Sequence, residues 1–133
     1  MRELAYIGAG GFIGTLTRYA IQLAIPAANT GFPWAVLLIN VAGCLFLGWF
    51  FTIAIPEKIT PRLRLAIGTG FTGALTTFST FTLDIVRLSE GGEWIKAAAY
   101  LFVSIAAGLL LCTLGIKLGN HMLASSKQEG DIR

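Results

Sequence analysis

Four long apolar runs follow one another along the chain, separated by short polar connections. A helix that crosses a bilayer needs roughly 20 consecutive apolar residues, and each run is long enough. The pattern therefore predicts an all-α membrane protein, with a single four-helix transmembrane domain over residues 1–133. The predicted spans and the polar tail that follows them are about 4–25, 33–55, 65–88, 97–118 and 119–133.

The third run differs from the others in its content of glycine and hydroxyl residues. Residues 68–82 read GTGFTGALTTFSTFT, with three glycines, six threonines and one serine. Glycine weakens helices, and hydroxyl groups need partners that hydrocarbon does not supply. The segment is therefore expected to be a broken helix that packs on protein or lines a wet path. Broken membrane helices often supply ion sites, because their carbonyl groups become available.

Composition and charge support a membrane class. The chain is 55% hydrophobic and 13% charged, whereas soluble domains carry about 25% charged residues. The net charge of +3 lies in short loops and tails, which indicates lipid headgroups and topology rather than nucleic acid as its partner. Five to seven of the ten basic residues lie on the side of the termini, which favours cytoplasmic termini.

Enzyme chemistry is poorly represented. The only histidine, His121, lies in the tail, and no nucleophile has a buried base nearby in sequence. The glycine-rich stretch 8–14 resembles a dinucleotide-binding loop, but it lacks the acidic residue and the βαβ context of such sites. Cys44 and Cys112 lie inside predicted spans and are expected to be structural thiols. The sequence therefore predicts neither an enzyme nor a nucleotide site.

Two ionisable residues lie within the spans. Asp84 is expected to pair with Arg87 one helical turn later. Arg18 has two interpretations of equal weight: it extends outward to the interface, or it faces an aqueous vestibule and raises the local anion concentration. Gly10 and Gly14 are four residues apart, and such small-residue faces favour close helix association. Because four helices are too few to enclose a hydrophilic path, we expect a homodimer or a larger assembly.

The polar groups nearer the middle of the spans are neutral. Asn40 lies within the second run, while Tyr100 and Ser104 are four apart and Phe78 and Phe81 three apart on their helices. Packing and interhelical hydrogen bonding account for any one of them alone. Together they indicate an uncharged path of weak donors and aromatic edges, which suits a small anion that must be released again.

Several of these motifs resemble the Fluc (CrcB) fluoride channels across all four spans. The motifs are TTFSTF at 76–81 with the upstream Gly73, INVAG at 39–43, and GFIG at 11–14 with Arg18 and Tyr19. The resemblance implies an antiparallel, dual-topology homodimer with two fluoride pores at the interface. It also implies a structural central sodium ion, held here by the backbone carbonyls of Gly73 and Thr76.

The same resemblance implies site roles and a function. Arg18 would lie at the vestibule, and Gly108 and Cys112 stand where the family often has hydroxyls. The protein is expected to export cytoplasmic fluoride passively and so confer fluoride resistance, in the plasma membrane of a prokaryote (the inner membrane if Gram-negative). Its expected partners are fluoride, a second copy and the bilayer, without nucleic acid or nucleotide. The fluoride-pore residues would be Asn40, Phe78, Phe81, Ser79, Thr80, Tyr100 and Ser104.

Two other classes stay open at this point. A small four-helix proton-coupled multidrug-type exporter would need a carboxylate deep in a span, and Asp84 is the candidate, although it lies near a span end. A non-transporting membrane subunit would show no ion flux after purification.

Overall fold

The chain folds as a set of packed helices, in a computed structural model that describes residues 2–25, 31–55 and 59–131, with side chains described through residue 125. No strand occurs among these residues, so the all-α prediction is confirmed. The last two residues of the predicted polar tail lie outside the described residues. The helices, in chain order, are α1 (Arg2–Ala24), α2 (Trp34–Ile53), α3 (Pro61–Arg64), a π-helical segment (Leu65–Thr72), α4 (Gly73–Leu75), α5 (Phe78–Glu90) and α6 (Trp94–Asp131).

Two of the described helices are long and apolar enough to cross a membrane. They comprise Trp34–Ile53 and Trp94–Ser125. The third predicted span, 65–88, is divided among the π-helical segment, α4 and α5, because its glycines and threonines interrupt the α-helical hydrogen-bond pattern. The last helix continues through Asp131, so most of the predicted polar tail is a helical extension of α6.

Helices α2 and α6 lie side by side and run in the same direction. A Cβ atom built on Gly48 would clash with the Cys112 carbonyl, and one built on Gly115 would clash with the Leu45 carbonyl. Further along, a Cβ on Gly119 would lie 2.7 Å from the Cβ of Thr52. Glycine at these positions therefore lets the two backbones touch, as is common between membrane helices.

Gly10 and Gly14 of α1 are used within the chain. Their α-carbons face the Ala66 and Phe71 carbonyls of the third run, where a Cβ would clash in both cases. The expectation that this small-residue face favours close helix association is therefore confirmed, with the partner helix lying in the same chain. The pair is occupied by the π-helical segment, which approaches α1 closely because Gly70 also lacks a side chain.

The buried core lies where α2, α5 and α6 meet. It contains Val36, Leu37, Phe81, Leu88, Ala97 and Tyr100. By contrast, many large apolar side chains on α1 and α6 are exposed, among them Phe12, Phe102 and Leu110. Such surfaces are typical of chains that face lipid or another subunit.

We expect Gly115→Ala to destabilise the protein by about 1–3 kcal/mol, the usual cost of overpacking. The added methyl group would meet the Leu45 carbonyl and the Trp49 amide. Thermal unfolding of the purified protein measures the change. Gly8→Ala is the control, since a Cβ there has no atom within 4 Å. Equal stability of the two variants would contradict the close α2–α6 contact.

Candidate functional site

The site is organised around the break between α4 and α5. Thr76 (φ −73°, ψ 155°) and Thr77 (φ −146°, ψ 122°) are extended, while the residues on either side are helical. The break lies within the glycine- and threonine-rich segment where the sequence predicts it. Two extended residues release backbone groups that a continuous helix would have paired internally.

Asn40 of α2 takes up the released groups of Thr77. Its Nδ2 donates to the Thr77 carbonyl at 3.0 Å, and its Oδ1 accepts from the Thr77 amide at 2.8 Å. One side-chain amide therefore satisfies both the backbone amide and the backbone carbonyl of Thr77, which is buried. This pairing leaves Asn40 with one further N–H on Nδ2.

Thr77 also caps α5. Its Oγ1 accepts from the Thr80 amide at 3.1 Å and donates to Thr80 Oγ1 at 3.1 Å. The Ser79 hydroxyl lies 3.2 Å from the same oxygen. Threonine is a favoured N-cap residue because its hydroxyl replaces a missing carbonyl partner. The hydroxyls of Ser79 and Thr80 are therefore tied to the start of the helix.

The break changes the surroundings of two carbonyl groups. In a continuous helix the Thr77 amide would donate to the Gly73 carbonyl, but here it donates to Asn40. Likewise the Thr80 amide donates to the Thr77 hydroxyl instead of the Thr76 carbonyl. Gly73 is exposed, and a Cβ on it would have no atom within 4 Å. Both carbonyls have thus lost their helical donors beside an open surface.

A cavity of about 320 Å³ lies beside the break. It brings together four residues of the predicted pore, Asn40, Phe78, Phe81 and Ser104. The Phe78 and Phe81 rings are 5.8 Å apart, and Phe78 is 77% exposed whereas Phe81 is 9% exposed. The Ser104 hydroxyl is buried without a hydrogen-bond partner among the described residues. The lining contains no carboxylate and no basic side chain among the described residues.

The remaining predicted pore residues lie outside this lining. Tyr100 is fully buried, with its ring 5.2 Å from that of Phe81 and 5.6 Å from that of Phe32. Ser79 is exposed and Thr80 half-buried, and neither contributes to the lining.

The residues predicted for the vestibule and the sodium site differ in their position. Arg18, the vestibule candidate, is half-buried on α1 and does not line the cavity. Thr76, the candidate sodium ligand, does line it.

The sequence of this chain matches a known protein family. The family model described as "CrcB-like protein, Camphor Resistance (CrcB)" matches residues 5–116. The chain belongs to the CrcB family. The match covers all four apolar runs, and with the two long apolar helices it identifies a membrane protein.

Curated relatives match nearly the whole CrcB chain. It is 42% identical to "Fluoride-specific ion channel FluC 1" of Bacillus cereus (strain ATCC 14579), over 98% of this chain and 94% of the relative. It is 39% identical to "Fluoride-specific ion channel FluC" of Shewanella amazonensis, over 94% of this chain and 98% of the relative. A relative of the same name from Chlorobium phaeobacteroides is 38% identical, over 86% and 91% of the two chains.

The expected ion pair between Asp84 and Arg87 does not form in this CrcB chain. Both residues line a cavity of about 280 Å³, together with Glu93. Asp84 Oδ2 is buried without a hydrogen-bond partner among the described residues. The Arg87 side chain is exposed, and its guanidinium makes no ion pair within 4.0 Å of the Asp84 carboxylate. Glu93 instead pairs with Lys96 at 2.8 Å.

Sequence reasoning missed two residues of the site. Thr77 was included in the family motif without a role, although a threonine immediately before an amphipathic helix is a recognisable N-cap signal. Cys44 lines the cavity, and only the packing of α2 on α6 reveals this. No sequence signal indicates the π-helical segment that brings α1 and the third run into contact.

We expect Asn40→Ala to lower the free energy of unfolding of this CrcB protein by about 2–6 kcal/mol. The substitution leaves the Thr77 amide and carbonyl without their partner, at about 1–3 kcal/mol for each buried group. Denaturant unfolding of the purified protein measures the loss. Asn120→Ala on the exposed part of α6 is the control and should change stability little. If both variants were equally stable, Asn40 would not be what supports the break.

Proposed function

We propose that this protein is a passive, fluoride-selective ion channel that exports cytoplasmic fluoride and so protects the cell from it. The observation that carries this function is the uncharged cavity at the helix break, where Asn40, Ser104, Phe78 and Phe81 converge. The relatives described above are named as fluoride-specific ion channels, which supports fluoride as the ion.

The lining suits a small, strongly hydrated anion. Such an ion must exchange its water for donors at close range, and the cavity offers the Ser104 hydroxyl and the remaining Asn40 N–H. The edges of the phenylalanine rings carry positive quadrupole and face an anion favourably. Because no basic side chain lines the described cavity, the anion is held weakly enough to leave, as conduction requires.

We place the working pore in an antiparallel, dual-topology homodimer. In the single chain the cavity is a groove with an exposed Phe78, and four helices do not close it. A second copy in the opposite orientation would cover this face and supply an equivalent groove. Two pores would then run along the interface, with Arg18 at a vestibule where its charge raises the local anion concentration.

The carbonyls of Gly73 and Thr76 fit a structural sodium ion at the centre of this dimer. Both have lost their helical donors at the break, and oxygen ligands are what hard cations prefer. Unwound carbonyls of broken membrane helices commonly coordinate sodium. When bound, the ion would supply positive charge that holds the two breaks together.

Three further predicted pore residues act indirectly in this proposal, by holding residues that line the cavity. Ser79 and Thr80 fix the Thr77 hydroxyl through their own hydroxyls. Tyr100 packs its ring against Phe81 and thereby sets the position of that ring. We assign all three to the pore walls as residues that support its lining.

The driving force is the membrane potential. A single charge gains about 2.3 kcal/mol per 100 mV across a membrane, which is sufficient to expel an anion from a cell with a negative interior. This potential acts across the plasma membrane of a prokaryote, which is the inner membrane in a Gram-negative cell, and we propose this membrane as the location.

Reconstitution tests the function directly. Liposomes that contain the purified protein are loaded with potassium fluoride, and efflux is followed with a fluoride electrode after valinomycin is added. We expect rapid fluoride release, while chloride-loaded liposomes retain their chloride. Equal release of both ions would contradict selectivity. No release from well-inserted protein would instead favour a non-transporting subunit, and release that requires a proton gradient would favour an exporter.

We expect Phe78→Ile and Phe81→Ile each to lower fluoride flux by about fivefold or more, since each removes an aromatic edge worth roughly 1 kcal/mol or more. Phe102→Ile is the matched control, because Phe102 is exposed on α6 and lies outside the cavity. Size-exclusion chromatography verifies that each variant is folded. Undiminished flux in both cavity variants would show that these two rings do not line the pore.

A further inference from the structure

A separate cavity of about 380 Å³ lies where α2 ends and the third run begins. None of its lining residues lines the cavity at the helix break. It combines one cation and one hydroxyl with four apolar side chains, and it contains no carboxylate among the described residues. The lining residues are Phe51, Ile59, Pro61, Arg64, Leu65 and Thr69.

Arg64 is held in this lining by its backbone and by its side chain. Its amide donates to the Thr60 carbonyl at 3.0 Å, and the Thr60 hydroxyl caps α3 by accepting from the Leu63 amide at 3.4 Å. The Arg64 guanidinium lies over the Phe51 ring, with its central carbon 5.1 Å from the ring centroid. That ring in turn packs on Gly68, where a Cβ would clash with it.

The guanidinium of Arg64 has unused hydrogen-bonding capacity. Its Nε is buried and has no hydrogen-bond partner among the described residues. Arg64 also forms no ion pair with a described carboxylate. Contact with an aromatic ring uses the flat face of a guanidinium and leaves the N–H groups at its edges for an acceptor. Because a buried charged donor without a partner is unfavourable, an anion toward which the side chain can turn would be bound favourably.

The cavity suits a phosphate group better than a single small ion. A guanidinium presents two parallel N–H groups that match two oxygens of one phosphate. Thr69 is exposed in the same lining and supplies a hydroxyl as a further donor. A free phosphate would leave the four apolar side chains in contact with water, whereas the glycerol and first acyl carbons of a phospholipid would cover them.

The position of the cavity also favours a lipid as the carrier of the phosphate. Helix α2 ends at Ile53 and the third predicted span begins at residue 65, so the cavity lies at the level where spans meet the headgroups. The neighbouring α3 also carries Arg62, which is exposed. Basic pockets between membrane helices are typical sites for anionic headgroups.

We propose that this cavity binds the phosphate group of a phospholipid, with the Arg64 guanidinium as the principal donor and the Thr69 hydroxyl as the second. The apolar side chains of the lining would contact the glycerol and the start of an acyl chain. This site is separate from the proposed fluoride pore, and its existence does not depend on the channel function.

Native mass spectrometry tests the site without any measurement of fluoride. The purified, delipidated protein in dodecyl maltoside is titrated with dioleoyl phosphatidylglycerol, and the lipid adducts are counted. We expect one lipid per chain to bind ahead of any others. Arg64→Lys keeps the positive charge but loses the paired N–H groups, so it should weaken this binding about tenfold, and Arg64→Gln should weaken it further.

Arg62→Lys is the matched control, because Arg62 lies on the same short helix, is exposed and does not line the cavity. Its affinity for phosphatidylglycerol should equal that of the native protein. Since Arg64→Lys retains a cation beside Phe51, it decides the test if Arg64→Gln does not fold. Native affinity in Arg64→Lys would show that Arg64 only extends to the membrane surface, and the proposal would be overturned.

Two further ligands identify the source of the phosphate group. Dioleoylglycerol has the same acyl chains without phosphate, and it should bind the native protein no better than it binds Arg64→Gln. Inorganic phosphate at the same concentration as the lipid should leave phosphatidylglycerol bound. If it displaces the lipid, the ligand is free phosphate and the lipid assignment fails. If dioleoylglycerol binds as tightly as phosphatidylglycerol, the phosphate has no role and the site is rejected.

Discussion

The paired hydrogen bonds between Asn40 and Thr77 are the interaction on which the rest of the site depends. A helix that stops in an apolar environment must satisfy its backbone groups, and water is scarce there. Asn40 satisfies the amide and the carbonyl of Thr77 from a neighbouring helix, which allows the chain to stay extended for two residues. The break in turn directs Phe78 and Phe81 into the cavity and leaves the Gly73 and Thr76 carbonyls without their helical donors.

Glycine contacts determine where the helices lie relative to this break. Gly48 and Gly115 let α2 and α6 touch along their backbones, and residues of both helices line the cavity beside the break. Gly10 and Gly70 similarly bring α1 against the π-helical segment. Membrane helices gain little from burying apolar groups against each other, so close van der Waals contact takes that role. The third run is thereby held against α1 along its π-helical segment, while α2 and α6 form a second closely packed pair.

The chemistry of the groove follows from which hydrogen-bonding groups are already used. Most threonine hydroxyls near the break donate to backbone carbonyls or cap α5, and they serve the fold. The Ser104 hydroxyl is not committed in this way. The described lining of the cavity therefore combines a free polar donor with the absence of formal charge. Both properties suit the proposed channel, in which an ion has to pass through without being trapped.

Residue order alone determined the apolar runs, the all-α class and the weak point at 68–82, because length, hydropathy and helix propensity are local properties. It also identified the motif residues, of which Asn40, Phe78, Phe81 and Ser104 share the cavity. Tertiary structure decided the partner of Asn40, the use of Gly10 within the chain and the burial of Asp84 Oδ2 without a hydrogen-bond partner among the described residues. It also placed Cys44 in the lining of the cavity. These outcomes depend on which helix faces lie together, and that relation between distant segments is not encoded in any local pattern.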